Sequence, residues 1–296
     1  MDTTENAKKS IIRFGVGGNW FAHANEMTFD QLGKIIVDEA KAVAEDGFDD
    51  IELSIAHADP WIDQLPQSFW EDIGAQVREA GVEPISVHGP YYPRLEADYD
   101  DAVRKLVLHA KATAALGAHA MVVHPVNHPG LHVTTIMRKG MQWDVDISYA
   151  ISDALGDSGT HLAIENVTTN SFRYLQELFS KLDRTNIGMC FDTGHYHCRP
   201  EHSLEQIIET FADRIVHVHL SDNDSLSDQH LPPGDGLFPW KRFFNALPPE
   251  KVGGHLMLEL SAPMLLQDPD AMSKTRQMHR RALELAKTTI GAALAN

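Results

Sequence analysis

The stretch "IIRFGVGGNW", Ile11 to Trp20, decides the fold. It starts as a short apolar strand and runs into glycines, the place where an open, doubly wound nucleotide-binding sheet would carry a G-x-G-x-x-G turn with a helix directly behind it. Gly15, Gly17 and Gly18 lack that spacing, and no helical pattern follows at once. The strand therefore opens a different α/β series.

Seven further strand-like runs follow: "DIELSI" (50–55), "PISVHG" (84–89), "AMVVHP" (120–125), "HLAIEN" (161–166), "IGMCFD" (187–192), "RIVHVHL" (214–220) and "HLMLEL" (255–260). They are rich in Val, Ile and Leu, as strands covered on both faces should be. Helical spacing of apolar residues separates them at 29–47, 68–81, 101–117, 171–182 and 270–289, and Gly117 is a suitable helix stop. Eight strand-helix units without a break in composition predict one closed (β/α)8 TIM barrel over residues 1–296.

The bulk numbers exclude several functions. The chain has 296 residues, 43% of them hydrophobic, and carries 25 Lys+Arg against 42 Asp+Glu, a formal charge of -17. Such a surface repels polyphosphates, and no Lys/Arg cluster offers a local basic groove, so DNA is not the expected partner. The polar start and the short apolar run behind it predict neither a signal peptide nor a membrane span. Cys190 and Cys198 form no disulfide framework, which suits a reduced compartment, and the expected location is the cytoplasm.

In a TIM barrel the chemistry sits at the C-terminal strand ends. Those ends carry His88, His124, Glu165, Asp192, His219 and Glu259, one from each of six successive strands. The loop "FDTGH" adds His195, and "SDQHLPPGDG" (227–236) adds Asp228 and His230. Taken singly, each has a plain alternative: a hydrogen-bonded rim histidine, a carboxylate paired with arginine, or an N-cap in the case of Asp192 and His195. Six equivalent positions are harder to explain that way, because buried carboxylates need a counter-charge and a divalent cation supplies it. His217 is expected behind His219 in a hydrogen-bonding role, and His109 and His279 at the surface or between helices. His57, His128 and His132 fall in loops near the rim. Glu52, inward-facing on the second strand, is a candidate for substrate binding.

The ordered motifs "SVHGPY", "MVVHP", "AIEN", "FDTGH", "HVHLSDND" and "LEL" resemble the xylose-isomerase-like TIM-barrel superfamily across nearly the whole chain. That group joins sugar and sugar-phosphate isomerases and epimerases with endonuclease IV. For an epimerase the resemblance implies one divalent metal held by Glu165, Asp192, His219 and Glu259, with Glu165 and Glu259 as catalytic base and acid. For an endonuclease IV-like centre it implies three metals, adding His88 and His124 around a bridging Glu165, and His195 with Asp228 and His230. A set of imidazoles and carboxylates suits zinc or manganese, one to three ions per chain.

Two mechanisms follow from the resemblance. The favoured one is a sugar or sugar-phosphate isomerase or epimerase working through a metal-stabilised enediolate, with His195 and Glu52 on the substrate and Trp240 either packed on the sugar or in the core. The other is a multinuclear zinc phosphoester hydrolase for a small substrate. A barrel that only binds sugar or metal is the non-enzymatic alternative. Homo-oligomers are common in the group and are an expectation here.

Overall fold

Eight parallel strands hydrogen-bond in chain order, and the eighth closes on the first. The structure is a computed structural model and describes residues 12–17, 29–90, 95–125, 140–168, 171–261 and 270–295. The strands are β1 (Arg13–Gly17), β2 (Asp50–Ser54), β3 (Glu83–His88), β4 (Ala120–Val123), β5 (His161–Glu165), β6 (Ile187–Asp192), β7 (Ile215–Leu220) and β8 (His255–Leu258). The (β/α)8 barrel expected from the sequence is the fold, with strand limits within one or two residues of those predicted.

Helices α1 (Phe29–Glu45), α2 (Gln67–Glu79), α3 (Leu95–Leu116), α4 (Met141–Leu155), α5 (Phe172–Lys181), α6 (Thr193–Cys198), α7 (Leu204–Phe211), α8 (Trp240–Ala246) and α9 (Ala271–Leu294) lie among the strands in sequence. Local chemistry fixes their ends. Ser171 accepts a hydrogen bond from the Tyr174 amide at the start of α5, and Ser203 and Gln206 form a capping box on α7. Gly117 ends α3 with φ +73°, a left-handed turn that favours glycine. The last helix is tied back to the first: Arg276 and Arg280 both donate to the buried Asp46 carboxylate just past α1.

Alternation sends Ile51, Leu53, Val87, Met189, Phe191, Val218 and Leu220 outward into the core between sheet and helices. The lumen holds smaller residues at mid-depth, where Ala120, Val122, Ala163 and Cys190 form a separate cluster with Val216 against it. Two register shifts break the ladder. Ile51 pairs with Pro84 but Glu52 with Ser86, so Ile85 is an extra residue on β3; Met189 pairs with Ile215 but Cys190 with His217, so Val216 is extra on β7. Such bulges re-aim side chains next to functional sites. On β7 the bulge keeps Ile215 in the outer core while Val216 turns to the lumen cluster, with His217 and His219 buried inside the barrel. Gly188 makes room for it: a Cβ there would stand 2.6 Å from Val216 Cγ1 and 2.6 Å from the Arg214 carbonyl oxygen.

The N-terminal mouth of the barrel is also rich in imidazoles. Asp50 accepts from Arg13 Nε at 2.9 Å and lies 2.7 Å from His255 Nδ1, while the His119 and His161 rings sit 5.1 Å apart. Burial, with His161 and His217 nearby, pushes His119 down to about 4, and burial lowers His161 too. A histidine whose folded pKa is depressed contributes stability above its unfolded value, near 6.5, and loses it as the pH falls towards the folded value. His119→Gln is therefore expected to move the acid-unfolding midpoint to lower pH. Fluorescence-detected unfolding between pH 7 and 4 checks this; an unchanged acid limb would show that His119 does not contribute.

Candidate metal centre

Six strand ends bring their polar residues to one rim. Glu165, at the end of β5, is fully buried and central. Its Oε2 lies 3.0 Å from His124 Nε2 and 3.7 Å from His88 Nε2, and its Oε1 lies 3.2 Å from His195 Nδ1 and 3.3 Å from His219 Nδ1. His219 Nδ1 is also 3.3 Å from Glu259 Oε2. Asp192 uses Oδ1 to cap α6 through the His195 amide, as the plain reading of that pair expected, but its Oδ2 has no hydrogen-bond partner.

The loop after β7 brings the remaining pair. Asp228 Oδ2 is 3.1 Å from His195 Nε2 and 3.1 Å from His230 Nε2. All nine sequence-selected metal candidates thus fall into three groups, His88/His124/Glu165, Glu165/Asp192/His219/Glu259 and His195/Asp228/His230, each with ligand atoms within 4.8 Å of one another. Glu165 belongs to two of them.

The donor set fits divalent cations. Glu165 Oε2, Asp192 Oδ2 and Glu259 Oε2 are buried without a hydrogen bond, an arrangement that costs free energy unless a cation satisfies them. Ring orientation agrees. His88 Nδ1 is 3.0 Å from the Gly89 carbonyl and His195 Nδ1 is 3.0 Å from the Asn166 carbonyl, leaving Nε2 of each ring towards carboxylates, as metal-binding histidines are commonly arranged.

Without a cation, protons balance the site. Burial opposes charge on His88 and His230, yet Glu165 and Glu259 around His88, and Asp228 and Glu259 around His230, raise both imidazoles to about 9. Burial, reinforced by the Glu259 and Glu165 charges, raises Asp192 to about 8. Burial also works against Glu259, but His219 holds it at about 2.

The clamp on Asp228 and His230 is built by a residue the sequence reading passed over. Asp222 is fully buried, and its carboxylate accepts from the amides of Asn223 (3.0 Å), Gly234 (2.9 Å) and Phe238 (2.8 Å) and from Trp240 Nε1 (2.9 Å). The Asp222 and Leu231 backbones exchange hydrogen bonds of 2.7 and 2.9 Å, pinning the loop on either side of the pair. His230 itself has φ +47°, a left-handed conformation that a non-glycine residue keeps only where its surroundings impose it. Arg281 of α9 grips Asp235 with its two terminal guanidinium nitrogens. Asp222→Ala would leave four donors without their acceptor, and a loss of about 3 kcal/mol or more in unfolding free energy is expected. Urea unfolding measures it; a loss below about 1 kcal/mol would mean the loop is held by other contacts.

Several expectations need correction. Of the two roles considered for Trp240, the core one fits and the sugar contact does not: it is 6% exposed, donates to Asp222 and packs on Phe238, Phe243 and Phe244. Glu52 is 3% exposed, and its Oε2 contacts His219 and Ser86. Of the two places expected for His109 and His279, at the surface or between helices, burial leaves the second: His109 lies 2.6 Å from Asp59, and His279 stands edge-on to Phe48. His217 is inside the barrel, as expected, but its Nε2 is 3.7 Å from Glu52, beyond hydrogen-bonding distance. His128 and His132 lie outside the described residues.

A closed parallel barrel with imidazoles and carboxylates gathered at its C-terminal mouth defines a class of TIM-barrel proteins built for polar chemistry at one end. Residues 40–283 match the xylose isomerase-like TIM barrel family, to which the chain belongs. Among curated relatives, a probable endonuclease 4 of Halothermothrix orenii is 25% identical over 253 residues, covering 75% of this chain and 85% of the relative. Among solved structures, a D-psicose 3-epimerase determined in the presence of D-fructose superposes with a TM-score of 0.69 at 18% identity, covering 95% of this chain and 100% of the other. The IOLI protein with a binding zinc atom gives a TM-score of 0.68 at 16% identity over 96% and 100% of the two chains. Among the described residues no helix is long and apolar enough to cross a membrane.

Proposed function

We propose that the protein is a divalent-metal-dependent phosphoester hydrolase for a small phosphorylated substrate such as a sugar phosphate, with ligands for three zinc or manganese ions. The observation that carries this reading is Asp228, equidistant from His195 and His230. It completes a third ligand group that shares no residue with the other two, and isomerisation at Glu165/Asp192/His219/Glu259 alone would not require it. Divalent ions there would supply Lewis acidity, drawing charge from phosphoryl oxygens and acidifying water.

The number of ions would set the charge of the site. Glu52, Glu165, Asp192, Asp228 and Glu259 carry five negative charges when ionised, which three divalent ions would exceed by one and a single ion would leave three short. The first balance suits an anionic ester and the second a neutral sugar. The formal charge of -17 argues against DNA. Glu165 bridges two groups, His88 and His195 present Nε2 to the site, and Asp228 orients two imidazoles at once.

The second reading is the metal-dependent sugar isomerase or epimerase favoured by the sequence. It draws on the two carboxylates Glu165 and Glu259, each 3.3 Å from His219 Nδ1, which could pass a proton across a bound ketose. Elemental analysis of purified protein, with release of nitrophenol from bis(p-nitrophenyl) phosphate and of phosphate from a sugar-phosphate panel, separates the two. About three ions per chain and ester cleavage are expected. One ion per chain, no cleavage and epimerisation of a ketose would replace the hydrolase by the epimerase. A cytoplasmic location and a homo-oligomer complete the proposal, and size-exclusion chromatography with light scattering tests the latter.

A further inference from the structure

His219 is a fully buried candidate ligand with carboxylates at both ring nitrogens. Its Nε2 lies 3.1 Å from Glu52 Oε2, while Nδ1 faces Glu165 and Glu259. His88 Nδ1 instead meets the Gly89 carbonyl, and His195 Nδ1 meets the Asn166 carbonyl with Glu165 beside it. The carboxylate behind His219 is itself held: Ser86 Oγ donates to the same Oε2 at 2.8 Å. The β3 bulge makes this contact, because the extra Ile85 brings Ser86 opposite Glu52 in the ladder. His217 closes the pocket beside Glu52, with its ring 5.5 Å from that of His219. Glu52, Ser86, His217 and His219 are all buried, so no solvent competes for these contacts.

We propose that Glu52 is a positioning residue: by taking the Nε2–H of His219 it fixes Nδ1 as the nitrogen offered to the metal and raises that nitrogen's donor strength. The assignment rests on the proposed metal centre and goes beyond it, replacing a role in substrate contact with one in metal affinity. A carboxylate hydrogen-bonded to a ligating imidazole selects its tautomer and makes it a better donor, and its loss typically costs about 10–100-fold in metal affinity. Glutamine retains an oxygen that can accept the N–H but lacks the charge, so it should restore part of the effect.

Cobalt(II) titration of metal-depleted full-length protein, read by visible absorption and by competition with a chelator, tests this without any substrate. Glu52→Ala should weaken one class of cobalt site by about 10–100-fold and alter its ligand-field spectrum, with Glu52→Gln intermediate. The His195/Asp228/His230 site, which Glu52 does not touch, should keep its affinity. If alanine prevents folding, the near-isosteric glutamine must still weaken cobalt binding measurably. Wild-type affinity and spectrum in a folded Glu52 variant overturn the assignment alone, as does equal weakening of every site. Wild-type protein that takes up no cobalt overturns the metal centre as well.

Discussion

Glu165→Ala is expected to lower the metal content from about three ions per chain to about one and to reduce ester hydrolysis by on the order of a thousandfold or more, about 4 kcal/mol of transition-state stabilisation. The size follows from connectivity: Glu165 is the residue common to two ligand groups, and four histidines converge on it. Removing it separates His88 and His124 from His219. Asp192 and Glu259 then remain as buried carboxylates with less to balance them. The His195/Asp228/His230 group contains no atom of Glu165 and should retain its ion. Elemental analysis with circular dichroism of the same sample checks both content and folding. Three ions retained in a folded variant would exclude Glu165 as a bridge.

Asp228→Ala makes the complementary cut. It leaves both Glu165-containing groups intact and removes the carboxylate between His195 and His230, so about two ions per chain should remain. A hydrolase that uses the whole centre should again lose on the order of a thousandfold in turnover. An epimerase working at Glu165/Asp192/His219/Glu259 would keep its chemistry and show mainly a raised KM. Steady-state rates on a phosphodiester and on a ketose, taken with the metal count, therefore decide which reaction the third group serves. Asp228 is on an exposed loop turn with its side chain partly accessible, so the substitution should not disturb the barrel.

The rim was legible in the sequence because barrel strands announce their ends: an apolar run stops at His124, Glu165 or Asp192, and the next residues change character. The supports behind the rim were not. Glu52 reads as an inward polar residue, and only the bulge at Ile85 reveals that Ser86 and His219 reach it. Asp222 looks like part of a polar loop until its four donors are placed around it. Trp240 has the composition of a sugar platform but is turned inward by its hydrogen bond. Helix α4 escaped detection because its buried face contains Asp144, Ser148 and Ser152 among the apolar residues, and these disguise the helical period. Two of them have partners far along the chain, Tyr174 donating to Asp144 and Ser152 donating to Asn186, while Ser148 donates to the Asp144 carbonyl one turn back.

Val216 and Gly188 have a consequence for how such barrels can diverge. The extra residue on β7 occupies space that a side chain at Gly188 would need, and the Arg214 carbonyl takes the rest, so the bulge depends on a glycine at 188. Deleting Val216 would leave Met189 opposite Ile215 and Cys190 opposite His217, with His219 still in phase at the mouth. Gly188 would still be required, because the Arg214 carbonyl oxygen stands 2.6 Å from any Cβ placed there. A one-residue deletion inside a barrel strand, normally ruinous, could in this way be absorbed at the bulge while the chemistry above stays in register.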